Sequence, residues 1–294
     1  MTDNKKIVVL GGRGMLGTDL IKALEQRGFQ PVGLDLPEFD ICDSEQLRAA
    51  VETADVLVNC AAYTNVEKAE SDEQTAYKVN ADAVGMLGEF AREKDIPVIH
   101  ISTDFVFDGS RGRPYGPDDE PNPLGVYGRS KLDGELAVMA AGGAPLVLRT
   151  GWVYSRHGGN FVKTMLRMMA ERDQVAVVED QVGTPTWARG LAETCWALID
   201  HGEAAGTYHW SDAGACSWYD FAVAIRELAL EQGLLSRAAE IIPIGTSDYP
   251  TPARRPAYSV LDKSRVRQLT DTPGRHWRLQ LAAMLADLKP GTQA

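Results

Sequence analysis

The sequence predicts an α/β fold, a doubly wound parallel sheet carrying a smaller, partly interleaved C-terminal substrate domain. Three observations predict it. Short apolar runs alternate with stretches of helical spacing; the first run ends in closely spaced glycines; and polar residues suited to chemistry stand just past the ends of later runs.

Lys5–Leu10 reads as the first strand, running into Gly11-Gly12-Arg13-Gly14-Met15-Leu16-Gly17. Glycines at 11, 14 and 17 permit a tight turn and close approach to a pyrophosphate, whose charge the following helix N-terminus favours. The spacing is G-x-x-G-x-x-G, not the commoner G-x-G-x-x-G, and glycines also serve simple turns. Context supports the cofactor cradle of a Rossmann-type domain. Phe29–Leu34 is a second apolar run, and Asp35 follows it where a carboxylate takes both ribose hydroxyls of NAD. The same carboxylate repels the ribose phosphate of NADP, while Arg13 in the turn offers a compensating charge, so NADH and NADPH both stay open.

Phe39–Ile41 and Cys42–Ala50 read as a connection and a helix, and Val56–Ala61 as a third strand whose unbroken apolar start fits a parallel strand covered on both faces. Ala61 and Ala62 leave room for a nucleotide beside the backbone, with Tyr63-Thr64-Asn65 supplying polar groups; a plain loop fits the same residues. Thr75–Lys94 has helical spacing and Pro97–Ser102 returns as a strand. Right-handed crossovers then gather functional groups at the carboxyl edge, where Ser102, Thr103 and Asp104 stand. Arg111–Pro123 reads as an exposed loop bordering a pocket, Tyr127 to Ala141 as a helix, and Pro145–Thr150 as another buried strand.

The second half is less regular. Its expected elements are a turn at His157–Asn160, helices at Phe161–Glu171 and Trp187–Asp200, short strands at Val175–Val178 and Tyr208–Trp210, and a break at Gln181–Thr186. Ser217–Glu231 has an amphipathic stripe and a capping box from Ser217 and Asp220. Trp277, Leu281, Leu285 and Leu288 mark a terminal packing helix. The expected division gives 1–151 to an NAD(P)-binding domain, with returning segments near 186–210 and 250–262, and 152–294 mainly to the substrate lobe.

With 294 residues, 44% of them apolar, the chain can bury a large core, which argues against disorder. A formal charge of −11 gives no sequence-wide attraction to nucleic acid or anionic membrane. No run reaches transmembrane length and Met1–Lys6 is not a signal-peptide pattern, so a cytoplasmic protein without membrane insertion is expected. Cys42, Cys60, Cys195 and Cys216 lack metal-ligand spacing, and His100, His157, His201, His209 and His276 are dispersed. A Mg2+ ion held by scattered carboxylates leaves no motif and stays unassigned.

Reduction of a carbonyl by hydride needs a nicotinamide face beside its carbon and an acid beside its oxygen. Tyr127 and Lys131 are four apart and share one helix face. Tyr127 serves as the acid if Lys131 lowers its pKa while contacting the nicotinamide ribose, and Thr103 can hydrogen-bond the substrate oxygen. The same spacing also arises as an aromatic core contact beside a solvated lysine. Here it follows a nucleotide-like turn and a Ser-Thr strand end, which favours chemistry.

Together these residues resemble the extended short-chain dehydrogenase/reductase family, and within it the reductases of dTDP-4-keto deoxysugars. The resemblance spans nearly the whole chain: Gly11 to Gly17, Asn59 to Thr64, Ser102 to Gly109, Tyr127 to Lys131, Arg149 to Tyr154, Gly159 to Phe161, Asp180 to Thr186, and Arg254-Arg255-Pro256. It implies reduction of the C4 keto group of dTDP-4-dehydro-β-L-rhamnose to dTDP-L-rhamnose, feeding surface-polysaccharide assembly, by an enzyme expected as a homodimer. It places Thr103, Tyr127 and Lys131 as catalytic residues. On the NADPH or NADH side it puts Gly11, Arg13, Gly14, Met15, Leu16, Gly17, Asp35, Asp40, Ile41, Ala61, Ala62 and Tyr63, with Tyr127 and Lys131. On the substrate side it puts Thr103, Asp104, Phe105, Tyr127, Trp152, Asn160 and Arg255. Phe105 stands where the family often has tyrosine, which removes any polar substrate contact there. A nucleotide-sugar dehydratase would need a further acid after Thr103-Asp104; an epimerase would return the hydride; a regulatory subunit would leave Tyr127 and Lys131 without a chemical purpose.

Overall fold

The computed structural model describes residues 5–202 and 204–289; the opening Met1–Asn4 lies outside them. The fully buried strand β1 (Ile7–Leu10) leads to helix α1 (Met15–Glu25), and β2 (Val32–Leu34) lies parallel beside β1. Helix α2 (Ser44–Thr53) begins at Asp43, whose carboxylate accepts from the N–H groups of Glu45 and Gln46, and is followed by β3 (Val56–Asn59). Short helices α3 (Val66–Ala69) and α4 (Glu73–Tyr77) precede α5 (Ala83–Lys94), which joins α4 through a π-turn at Lys78–Asp82. Asn80 explains that turn: its Oδ1 accepts from Tyr63 N–H at 2.8 Å and its Nδ2 donates to Ser130 Oγ at 3.0 Å. Strand β4 (Val98–Thr103), helix α6 (Val126–Ala141) and β5 (Leu146–Thr150) complete this half.

The second half contributes β6 (Val153–Tyr154), α7 (Phe161–Glu171), β7 (Gln174–Val178), β8 (Val182–Gly183), β9 (Thr186–Trp187), α8 (Ala188–His201) and β10 (Gly206–His209). It ends with β11 (Cys216–Ser217), α9 (Trp218–Glu231), β12 (Glu240–Ile244), α10 (Ser264–Thr270) and α11 (Trp277–Ala286). The expected break at Gln181–Thr186 thus holds two short strands. The short β6, β11 and α3 were not anticipated, and neither were β12 and α10. β12 pairs in parallel with β7 despite Pro243, because the pair has only two strands and the position-243 nitrogen points to the open edge, where no N–H is needed; α10 is a seven-residue stretch too short to show a stripe.

The main sheet runs β10-β5-β4-β3-β1-β2, every strand parallel. Its order reverses between β1 and β3, and a crevice opens there at the carboxyl ends of the strands. Helices α1 and α8 cover one face through Leu16, Leu20, Leu191, Cys195 and Leu198, while α2, α5 and α6 cover the other through Leu47, Val51, Val84, Leu87 and Val138. Because α8 and β10 belong to this layer, the chain crosses into the second lobe and returns. Val266 of α10 packs into the same core as α8. The second lobe has its own core, built from α7, α9, α11 and the β7–β12 pair around Phe221, Ile225, Met169 and Leu281.

One polar link ties this frame together from within. Glu135 of α6 receives Arg149 of β5 through Nε at 2.9 and 3.0 Å and through one terminal nitrogen at 2.6 Å, with both side chains about 5% exposed or less. The pair fixes the helix bearing Tyr127 and Lys131 against the strand beside β4.

Candidate active site

The turn after β1 depends on two glycines that nothing larger can replace. Gly11 has φ +75°, and a Cβ there would lie 2.7 Å from the Ala61 nitrogen; a Cβ at Gly17 would lie 2.2 Å from the Gly11 carbonyl oxygen. The backbone of β3's exit and the start of α1 are therefore packed directly on the turn. Gly17→Ala is expected to push α1 off the turn and weaken NADH binding at least about tenfold, a loss of about 1.4 kcal/mol, checked by fluorescence titration.

A cleft of about 680 Å³ opens over this turn, between the two lobes. Gly11, Gly14, Met15, Leu16, Gly17, Asp35, Asp40, Ile41, Ala61 and Ala62 line one end of it. Asp35 uses its two carboxylate oxygens on the N–H groups of Arg13 and Leu36, at 2.9 and 2.8 Å. Two expected members are placed elsewhere. The Arg13 guanidinium stands at the rim, bound to Glu38 at 2.7 Å and the Leu36 carbonyl at 2.8 Å, so its charge is already matched. The Tyr63 ring turns away from the cleft, packs with Ala69, Val126 and Tyr127, and donates its hydroxyl to Asp72, because Asn80 fixes its backbone.

Thr103, Asp104, Phe105, Tyr127 and Lys131 line the middle of the cleft. Thr103 Oγ1 donates to Asp104 at 3.1 Å and accepts from Phe105 N–H at 3.2 Å. Burial pushes the Asp104 carboxyl up to about 6, against hydrogen bonds from Ser259 and Thr103 that pull it down. Phe105 meets the Tyr127 ring edge-on, with centroids 5.8 Å apart. The expected lowering of the Tyr127 pKa by Lys131 is not what the geometry gives. Burial dominates and pushes the phenol up to about 12, with contact to Thr103 drawing it down and the Asp104 charge raising it. Lys131 instead turns its nitrogen to the Ile101 carbonyl at 2.7 Å and to His100 Nε2 at 3.3 Å, and burial brings it down to about 8. A phenol held this way keeps its proton over the physiological range, as a proton donor should.

The far end of the cleft is aromatic. Trp152 lies beyond β5 with φ +50°, a left-handed conformation that a bulky side chain adopts only when its surroundings impose it. Its indole stacks on Trp218, centroids 3.5 Å apart and planes 6° from parallel, and a Cβ at Gly183 would lie 2.5 Å from it. Asn160 lines the cleft, but its amide is committed to structure: Oδ1 caps α7 at Lys163 N–H, and Nδ2 donates to the Ser155 carbonyl at 2.6 Å. Arg255 also faces the cleft, paired with Glu67 at 2.5 Å rather than free. Among the described residues, no group of three or more His, Cys, Asp or Glu side chains is placed to hold a metal ion. None of their helices is long and apolar enough to cross a membrane.

The sequence matches the RmlD substrate binding domain family over residues 5–289. The chain belongs to the dTDP-4-dehydrorhamnose reductase family. A dTDP-4-dehydrorhamnose reductase of Burkholderia thailandensis is 41% identical over 295 residues, covering 96% of this chain and 99% of its own. A dTDP-4-keto-6-deoxy-D-glucose reductase of Streptomyces niveus is 37% identical, covering 96% of each. The crystal structure of a dTDP-4-dehydrorhamnose reductase from Bacillus anthracis in complex with NADP superimposes with a TM-score of 0.90 at 31% identity, covering 96% of this chain and 99% of that one.

Within this reductase family frame, Trp218 of the cleft and His100 behind it were not picked out from the sequence. Trp218 stands first in α9, where its place in an apolar stripe behind a capping serine reads as core packing; its ring in fact forms part of the cleft. His100 lies inside β4 among apolar neighbours, with no motif to mark it, yet it touches Lys131.

Proposed function

We propose that this chain catalyses NAD(P)H-dependent reduction of the C4 keto group of dTDP-4-dehydro-β-L-rhamnose to form dTDP-L-rhamnose. The observation that carries the reading is the meeting of Thr103, Tyr127 and Lys131 in one cleft with the glycine turn. The glycine turn and α1 suit a dinucleotide pyrophosphate, and a bound nicotinamide supplies the hydride. Tyr127 donates its proton to the oxygen developing at C4, which as an alkoxide is a far stronger base than a phenolate. Thr103 holds that oxygen by turning its hydroxyl hydrogen from Asp104 to it, and the Lys131 charge stabilises the phenolate left behind. Trp152 and Trp218 offer a flat apolar wall for the deoxysugar.

Cofactor choice follows from charge. Asp35 repels a 2′-phosphate and the Arg13 guanidinium is already bound to Glu38, which favours NADH. Glu38→Gln is expected to free Arg13 and improve kcat/KM for NADPH severalfold relative to NADH, read from steady-state kinetics with both cofactors.

Arg255 suits the diphosphate of the sugar nucleotide, with Glu67 as the anion it leaves on binding. Glu67→Gln is then expected to tighten dTDP binding severalfold by calorimetry, whereas weaker binding would assign Glu67 a direct hold on the ligand. The reaction is tested by giving the purified protein the keto sugar with NADH: one cofactor oxidised per sugar and a rhamno-configured product support it. Turnover of dTDP-4-keto-6-deoxy-D-glucose in place of that sugar would instead match the reaction named for the Streptomyces niveus relative, and unchanged cofactor balance would point to epimerisation.

A further inference from the structure

Behind the cleft, Asn59, His100 and Lys131 form a line of buried polar side chains, the first two 0% exposed and the third 2%. Asn59 and His100 lie opposite each other where β3 pairs with β4. The Asn59 amide is oriented at its other end, where Oδ1 accepts from Ala61 N–H at 3.0 Å. Its Nδ2 therefore faces His100, 3.1 Å from Nδ1. A ring nitrogen that receives an N–H carries no proton of its own. Burial and the nearby lysine hold the imidazole well below its usual pKa, so the ring is neutral and its one proton sits on Nε2. That nitrogen is 3.3 Å from Lys131 Nζ, which also donates to the Ile101 carbonyl at 2.7 Å. An ammonium has only donors, so against Nε2–H two donors would meet; a neutral amine has a lone pair and accepts.

We propose that His100 is a positioning residue that donates its Nε2–H to the neutral amine of Lys131, stabilising the state the lysine reaches after passing a proton toward the phenolate of Tyr127. This rests on the reaction proposed above. The phenol proton goes to the alkoxide oxygen, a lysine proton replaces it on the phenolate, and a proton from bulk solvent, relayed by water entering the cleft, later restores the ammonium. The direction is favourable, because Lys131 is held at about 8 and Tyr127 at about 12. Glu135 on the same helix and Cys60 at the exit of β3 raise the lysine and so favour its charged form. His100 opposes both, and keeps Lys131 a willing proton donor.

The direct test is 15N NMR of the imidazoles in the wild-type protein without cofactor, with His100 assigned by its loss in His100→Asn. The expected result is a neutral ring protonated on Nε2 from about pH 6 to 9; an Nδ1–H ring or an imidazolium overturns the proposal. The variants give a second readout. His100→Asn keeps an acceptor for Asn59 and deletes the donor to Lys131, so the basic limb of the kcat profile is expected to move up by about one pH unit. His100→Gln, which can place an N–H near Lys131, is expected to bring the limb back. A limb that stays or moves down in His100→Asn overturns the assignment. Absence of wild-type turnover would sink the reaction itself, and the ring's proton position separates that failure from this one.

Discussion

Tyr127→Phe lowers kcat for keto-sugar reduction by roughly 10²- to 10⁴-fold, while NADH binding stays close to wild type. The substitution removes one oxygen and keeps the ring, so the edge-on contact with Phe105 and the packing against Val126 survive. What is lost is the proton donor beside the developing alkoxide; Thr103 can hold that oxygen only by turning its one hydrogen away from Asp104, and an alcohol is too weak an acid to replace the phenol. Stopped-flow kinetics at saturating NADH separates the steps. Wild-type turnover in this variant would mean that another group delivers the proton.

Glu135→Leu produces the largest loss of stability expected from a single side chain, about 3 to 5 kcal/mol. It leaves Arg149 buried with no carboxylate, and one terminal nitrogen of that guanidinium already lacks a partner. Phe107 lies against the guanidinium, 5.2 Å from its ring centroid, and offers no compensation for a missing anion. Urea unfolding measures the effect as a lower midpoint. Replacing both residues by apolar ones of similar volume should recover much of the loss, since the unpaired charge, rather than the missing bond, carries most of it.

The parallel sheet was readable because covered strands are short, apolar and separated by helices, as Ile7–Leu10, Val56–Asn59 and Leu146–Thr150 all are. That Thr103, Tyr127 and Lys131 share one cleft was readable for a related reason: Thr103 ends a strand and Tyr127 with Lys131 opens a helix, positions that topology brings to one edge. Side-chain direction was not. Tyr63 follows a strand as a cofactor residue would, and only the Asn80 hydrogen bonds, 17 residues away, turn it from the cleft. Arg13 and Arg255 carry the right charge for phosphates, but Glu38 and Glu67, distant or unremarkable in sequence, occupy them. β12 was hidden by Pro243, which on the open edge of a two-stranded pair costs little.

The most direct measurement follows the hydride itself. With NADH carrying deuterium at the transferable position of nicotinamide C4, the account predicts deuterium on C4 of dTDP-L-rhamnose, one label per cofactor oxidised, read by NMR and mass spectrometry. Deuterium retained in the nicotinamide, or placed on any other sugar carbon, would contradict it.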